Sequence, residues 1–371
     1  MLFGLHFAPS FHLLICQITH SPIAFIRVSP DGSFVVTYSM EALPKVELHL
    51  HLDCSLSYQV VARLDPQISE DHYRRDFIAP RRCSSLAEYL THAPHAIRLM
   101  QSKEALRLVV EDVFAQLAAD NVIYAELRYG PLLHLEQGLR PEEVVETVDR
   151  AAEECIRETG IEARLILCTL RHHTREQSLE TARLVERARG SRTVALDIAG
   201  DEAAYPLAPH KAAYDYAHER GLYMTAHAGE AAGAESVWET LRDLAPSRIG
   251  HGVRSIEDPK LITHLKQHGI HLEVCPSSNV QTAVCTSLAG HPVDRLYRQG
   301  VSLSINTDSR TINDTSLERE YQELEQTFAW GREELLRCNL EGLKAAFLPE
   351  KEKRRLEARL LQVYSAQPLT R

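Results

Sequence analysis

The sequence has no CxxC pair, although eight cysteines are spread along it (Cys16, Cys54, Cys83, Cys155, Cys168, Cys275, Cys285 and Cys338). A cysteine-bound structural zinc and a thioredoxin-like redox pair are thereby excluded. Dense disulfide frameworks belong to short secreted chains. Eight scattered cysteines in 371 residues read instead as free thiols in a reducing cytosol, so a cytoplasmic location is expected. Basic charge is also scarce: 41 Lys and Arg against 51 Asp and Glu leave a net charge of −10. With a pI near 6.0 there is no footprint for a nucleic-acid backbone, and an acidic surface argues against an anionic membrane. No apolar run approaches the ~18 residues of a spanning helix. Linkers and low-complexity segments are missing as well. Tryptophan occurs only twice, whereas histidine occurs 19 times, and that excess directs attention to metal sites.

Residues 1–39 hold one basic residue (Arg27) and one acid (Asp31), and their apolar runs at 13–16 and 23–26 are broken by His and Pro. They lack the basic start and clean apolar stretch of a signal peptide. The expectation is a leader upstream of a true start at Met40, with 40–371 forming a single domain.

From residue 45 onward apolar runs alternate with amphipathic stretches. Strands are predicted at 46–52, 123–129, 163–170, 194–199, 222–228, 248–251, 270–275 and 301–307. Helical patterns fill most intervals, for example 103–119, 141–159, 175–189 and 209–220, and further helices follow at 317–348. Eight strands separated by helices predict an α/β fold, a (β/α)8 TIM barrel with additional C-terminal helices.

Strand parity is more telling than strand number, because side chains alternate faces. In the first strand Val46, Leu48, Leu50 and Leu52 share one face, and Glu47, His49, His51 and Asp53 share the other. The eighth sets Val301, Leu303 and Ile305 against Ser302, Ser304, Asn306 and Asp308. The second and seventh place Glu126, Arg128, His271 and Glu273 opposite aliphatic residues. Helices cover the apolar faces, so the polar faces must point into the barrel. A polar interior is costly unless its groups are paired or bind something.

His49 and His51, two apart on a strand, project from one face and can reach one metal. An HxH alone is weak evidence, and two histidines bonded inside a barrel would look the same. The other candidates add weight: His227 ends the fifth strand, His251 the sixth and Asp308 the eighth. All lie at the strand ends where barrel enzymes build active sites. Nitrogen and oxygen ligands suit Zn²⁺, with Fe²⁺, Ni²⁺ and Mn²⁺ equally compatible by ligand type. A divalent metal lowers the pKa of its water from about 15.7 to about 7. Glu230, three residues after His227, is placed to pass protons, and His251 to orient or deprotonate the water.

The segments PKVELHLHLD (44–53), DIAGDE (197–202), TAHAGE (225–230), GHG (250–252), LEVCPSSN (272–279) and NTD (306–308) closely resemble, in order, motifs of the adenosine deaminase family. The resemblance runs from about 44 to about 321, continues loosely into the C-terminal helices, and has no counterpart for the leader. It implies a barrel holding one zinc per chain through His49, His51, His227 and Asp308. It further implies hydrolytic deamination of adenosine, with 2′-deoxyadenosine, to inosine and ammonia at purine C6. Glu230 would protonate N1, and His251 would position the water and stabilise its charge. The Gly200 N–H would bond purine N3, and Asp53 would accept the ribose 5′-hydroxyl. The implied partner is a small purine nucleoside; oligomeric state stays open.

Two positions depart from the family pattern. Ser309 stands where a second acid usually donates to purine N7, a task that water, Arg310 or Asn313 could share. Cys54 stands where glycine usually follows the aspartate. The alternatives are a deaminase of adenine, of N6-substituted AMP or of another adenosine conjugate, and a catalytically silent nucleoside-binding relative. Asp53 favours a nucleoside over a free base, and Arg81, Arg82 and Lys103 are the available basic residues for a phosphate. A cytidine-type deaminase needs H-x-E with a distant PCxxC, which is absent. Glu126 and Arg128 read as a buried ion pair, His172 and His173 as residues that touch substrate or, the favoured reading, as solvated loop residues, and 352–355 as a solvated helix face. Leu86, Tyr89 and Leu90, within a lid-like segment at 81–100, read equally as pocket wall or core.

Overall fold

A computed structural model describes residues 43–364 and, before them, three short strands, β1 (Leu14–Ile15), β2 (Ala24–Val28) and β3 (Phe34–Tyr38). These three pair antiparallel in the order β1-β2-β3. The expected start at Met40 lies outside the described residues.

Eight parallel strands follow: β4 (Lys45–His51), β5 (Val122–Tyr129), β6 (Glu162–Leu170), β7 (Thr193–Ala199), β8 (Tyr223–Ala228), β9 (Arg248–His251), β10 (His271–Val274) and β11 (Leu303–Ile305). Each pairs with its neighbours in chain order. The two ends meet at a single bridge, Leu50 with Asp308. There the Asp308 N–H donates to the His49 carbonyl (3.0 Å) and the His51 N–H to the Asp308 carbonyl (2.7 Å). The predicted barrel is therefore present, with β10 and β11 shorter than expected. Helices lie between the strands, as at Lys103–Ala119, Pro141–Thr159 and Arg175–Arg187, and Leu317–Phe328, Arg332–Ala345 and Glu350–Tyr364 follow the last strand. No described helix is long and apolar enough to cross a membrane.

Local chemistry sets the helix ends. Ser102 caps Lys103–Ala119 by accepting from the Ala105 N–H. Pro141, with no N–H to satisfy, opens the next long helix, and left-handed Gly160 closes it. The aliphatic strand faces meet the helices: a methyl at Gly342, on Arg332–Ala345, would touch Val46 and Leu48 at 3.5 and 3.8 Å.

The inward faces are a network of buried charge. Arg128 donates to Asp197 (3.0 Å), to Glu273 (2.6 Å) and to the Leu48 carbonyl (2.7 Å). Glu126 pairs with Arg248, which also reaches Glu273 at 2.8 Å, and accepts from the Tyr124 hydroxyl and the Phe347 N–H. The expected Glu126–Arg128 pair is thus corrected. Both point inward, but each finds its partner across the barrel rather than two residues along its own strand. The 352–355 face is corrected in part: Glu352 binds the buried Arg164 at 2.7 Å, and Lys353 donates to the Lys344 carbonyl.

Candidate functional site

At the C-terminal end of the barrel the ligand atoms of His49, His51, His227 and Asp308 all lie within 4.8 Å of one another. β4 supplies the first two, β8 the third, and the turn after β11 the fourth. Hydrogen bonds behind the rings set their orientation. His49 Nδ1 donates to Glu273 (2.9 Å) and His227 Nδ1 to Asp197 (3.1 Å). In a neutral ring that proton on Nδ1 leaves the Nε2 lone pair facing the cluster. His49 Nε2 is buried without a hydrogen-bond partner, and His51 Nε2 lies 3.2 Å from His227 Nε2. Lone pairs converging on one point, beside a carboxylate 3.4 Å from two of the rings, fit a divalent metal. Burial lowers the pKa of His51 and His227, which keeps them competent as neutral ligands. His49 moves the other way: against burial and the Arg128 charge, which lower it, the carboxylates of Asp308 and Glu273 raise it. Asp308 is held well below the usual carboxylate range by its histidine neighbours, against its burial.

Two site residues have left-handed backbone, His251 (φ 60°) and Asp308 (φ 63°). Such conformations are strained for residues with a side chain and collect at functional sites. Packing around the rings is close. A methyl at Gly250 would come within 2.9 Å of His49 Cε1, and one at Gly229 within 2.5 Å of Val237 Cγ2. A side chain at either position would displace the His49 ring or the Val237 side chain.

Glu230 follows that turn, and its loop is anchored by Glu202, whose carboxylate accepts from the N–H groups of Gly229 (2.7 Å), Glu230 (2.9 Å) and Ala232 (2.9 Å). Burial first, then the charges of Asp308 and Glu202, push the Glu230 carboxyl well above its ordinary value. A carboxyl biased toward its protonated form can serve as a proton donor. His251 Nε2 stands 3.7 Å from Glu230 Oε2, and burial with the nearby His49 drives its imidazole well below its ordinary value.

These groups open into a cavity of about 720 Å³ whose wall includes His51, Asp53, Cys54, Gly200, His227, Glu230, His251, Asp308 and Ser309. The structure therefore brings together all nine predicted site residues except His49, which lies just beneath with no exposure. Asp53 accepts from the Gly130 N–H (3.0 Å), and burial pushes its carboxyl up to about 6. Leu86, Tyr89 and Leu90 line the cavity, and the first two also pack with Cys54 and Ile312, so both readings of that segment hold.

Four further expectations change. Arg310 is turned away, pairing with Glu47 and Asp120 at 2.7 Å each, so it is no candidate for N7. Asn313 spends its carbonyl on the Tyr89 hydroxyl (2.6 Å) and its amide on the Thr307 carbonyl (2.8 Å). Arg81, Arg82 and Lys103 are not on the wall; among the described residues Arg98 is the only lining arginine and no lysine lines it. His172 is exposed and lines the cavity, whereas His173 is buried and bonded to Thr169 and Leu170.

Sequence reasoning missed the supporting residues. Strand parity had already turned Glu273 inward, but gave no hint of its bond to His49. Asp197 and Glu202 sit in a quoted motif without an assigned role. Ser278, which donates to Asp308 (2.6 Å), and Asn279, bonded to His251 (3.1 Å), had no signal beyond their motif.

Comparison with known proteins agrees with this geometry. A family model described as adenosine deaminase matches residues 44–363. An adenosine deaminase of Clostridium acetobutylicum is 35% identical over 318 residues, covering 84% of this chain and 95% of its own. Adenosine deaminase 1 of Streptomyces coelicolor is 36% identical over 334 residues, covering 84% of each. Among solved structures, the N6-methyl-AMP deaminase of Arabidopsis thaliana superposes with a TM-score of 0.76 at 25% identity, covering 89% of this chain and 98% of its own.

Proposed function

The chain belongs to the adenosine deaminase family and is a hydrolytic deaminase; from that premise we propose that it converts adenosine and 2′-deoxyadenosine to the inosine products with release of ammonia, using one zinc per chain. The observation that carries the reading is the four-ligand cluster set beside Glu230 and His251 on the wall of a cavity that also contains Asp53. His49, His51, His227 and Asp308 would hold the metal. Bound there, zinc would make hydroxide available near neutral pH.

The chain's own groups do the rest. Glu230 gives its proton to purine N1, which makes C6 electrophilic as oxygen adds to it. The attacking water brings two protons: the Glu230 carboxylate passes one to the amino nitrogen, and the other restores the Glu230 carboxyl. The C6–N bond breaks and ammonia departs, so one water is consumed for each ammonia released. His251 positions the attacking oxygen and stabilises its charge. The Gly200 N–H faces purine N3, Ser309 donates to N7, and Asp53 accepts the 5′-hydroxyl. A 5′-nucleotide is disfavoured, because Glu136 accompanies Arg98 on the wall and no lysine is there among the described residues.

The test is ammonia release from adenosine, 2′-deoxyadenosine, adenine, AMP and N6-methyl-AMP, with metal content measured on the same sample. Adenosine and 2′-deoxyadenosine should lead by at least about tenfold in kcat/KM, a gap of roughly 1.4 kcal/mol in transition-state binding. Preference for adenine or for a nucleotide would overturn the substrate, and another metal at full activity would overturn zinc.

A further inference from the structure

A chain of buried side chains runs behind His251, and one backbone amide fixes its direction. The Val293 N–H can only donate, and it lies 3.0 Å from His291 Nδ1, which must therefore accept. A neutral ring that accepts at Nδ1 carries its proton on Nε2. His291 Nε2 lies 3.1 Å from Asn279 Oδ1, so it donates there. That bond settles which end of the Asn279 amide is oxygen, and Nδ2 then donates to His251 Nδ1 at 3.1 Å. His251 is left with its proton on Nε2, the nitrogen facing Glu230 and the metal cluster. All three side chains are buried, His291 at 2%, Asn279 at 0% and His251 at 1% exposure, so water does not compete for the bonds. Burial, with the Arg295 charge behind it, also holds the His291 imidazole down to about 3, so protonation does not interrupt the chain near neutral pH.

We propose that Asn279 and His291 are positioning residues that lock His251 in the Nε2–H tautomer, making it a hydrogen-bond donor to the attacking oxygen rather than the base that deprotonates it. The inference deepens the proposed function and rests on that reading for its kinetic part only. The alternative tautomer would need Asn279 to accept at Nδ2, which an amide nitrogen cannot do. Proton removal therefore falls to the carboxylate of Glu230, and His251 supplies charge stabilisation from a fixed direction.

Asn279→Asp is the decisive variant, because it keeps the shape but turns the donor facing His251 into an acceptor. The His251 proton should move to Nδ1, and kcat for adenosine should fall roughly 10²- to 10⁴-fold with KM nearly unchanged, as for a catalytic histidine held in the wrong tautomer. His291→Gln retains an acceptor for Val293 and a donor for Asn279, so it should keep kcat within a few-fold, whereas His291→Phe should lose roughly tenfold or more. The readout independent of turnover is the ¹⁵N spectrum of histidine-labelled, metal-loaded protein, in which wild-type His251 should show a protonated Nε2 and a bare Nδ1. A protonated Nδ1 in the wild type would overturn the proposal, even if the variants fail to fold. So would Asn279→Asp protein of normal metal content and undiminished kcat. Wild type that does not turn over adenosine but shows the Nε2–H tautomer would remove the substrate assignment and leave the lock standing.

Discussion

The barrel carries two tiers of titratable side chains, and the tiers are completed differently. In the deeper one, Glu47, Glu126, Arg128, Asp197, Arg248 and Glu273 are almost fully buried, and each charge is met by another charge or by a donor of this chain. At the C-terminal end of the barrel, His49, His51, His227 and Asp308 hold ligand atoms within 4.8 Å of one another, and His49 Nε2 has no hydrogen-bond partner. Burial alone therefore does not mark function. What separates the tiers is whether charges are met by charges and donors of this chain or several polar atoms converge on one place.

The contrast can be tested from both sides. The largest effect belongs to the converging tier: His227→Ala or Asp308→Ala should abolish bound metal and deaminase activity together, checked by elemental analysis and ammonia release on one preparation. Retention of both would show that these atoms do not form a metal site. Glu230→Gln should keep the metal yet lower kcat roughly 10²- to 10⁴-fold, which steady-state kinetics would reveal. Change within a few-fold would remove the proton shuttle.

The deeper tier should respond in stability instead. Glu126→Gln leaves Arg248 with Glu273 alone and should cost about 3 kcal/mol in denaturant unfolding, while kcat per folded molecule stays near wild type. A large kcat loss at unchanged stability would erase the distinction between tiers.

The smallest effect concerns Glu320, a buried carboxyl met only by the neutral donors of Ser277 and Thr315. Burial raises its pKa from 4.5 to about 7. A group raised in the folded state favours folding fully below its unfolded value, and that contribution is lost as pH rises through about 7. Glu320→Gln should therefore melt close to wild type near pH 4.5 and a few degrees above it at pH 8. An equal difference at both pH values would show that folding leaves the Glu320 carboxyl unshifted.

The fold was readable because it is written in periodicity. Alternation along 46–52 and 301–307 turned Glu47, His49, His51, Asn306 and Asp308 inward, and the structure keeps them there. Cross-barrel partners are not written that way, since they depend on how far each strand is staggered against its neighbours. Thus Arg128 meets Glu273 and Asp197, 145 and 69 residues away, rather than Glu126 beside it. The arginine after Ser309 reads as a ligand contact from the sequence because its neighbour does, but the turn beyond β11 carries it to Glu47 and Asp120. The His291–Asn279–His251 relay escaped for a similar reason. Its members stand 12 and 28 residues apart, and a single histidine in a loop has no spacing that announces it.

The closing bridge of the barrel also ties the site to the rest of the molecule. Its two hydrogen bonds use only backbone atoms of His49, His51 and Asp308, and these residues are three of the four candidate metal ligands. The place where the sheet is buckled into a hoop is thus the place where those side chains converge, so whatever opens the hoop pulls them apart.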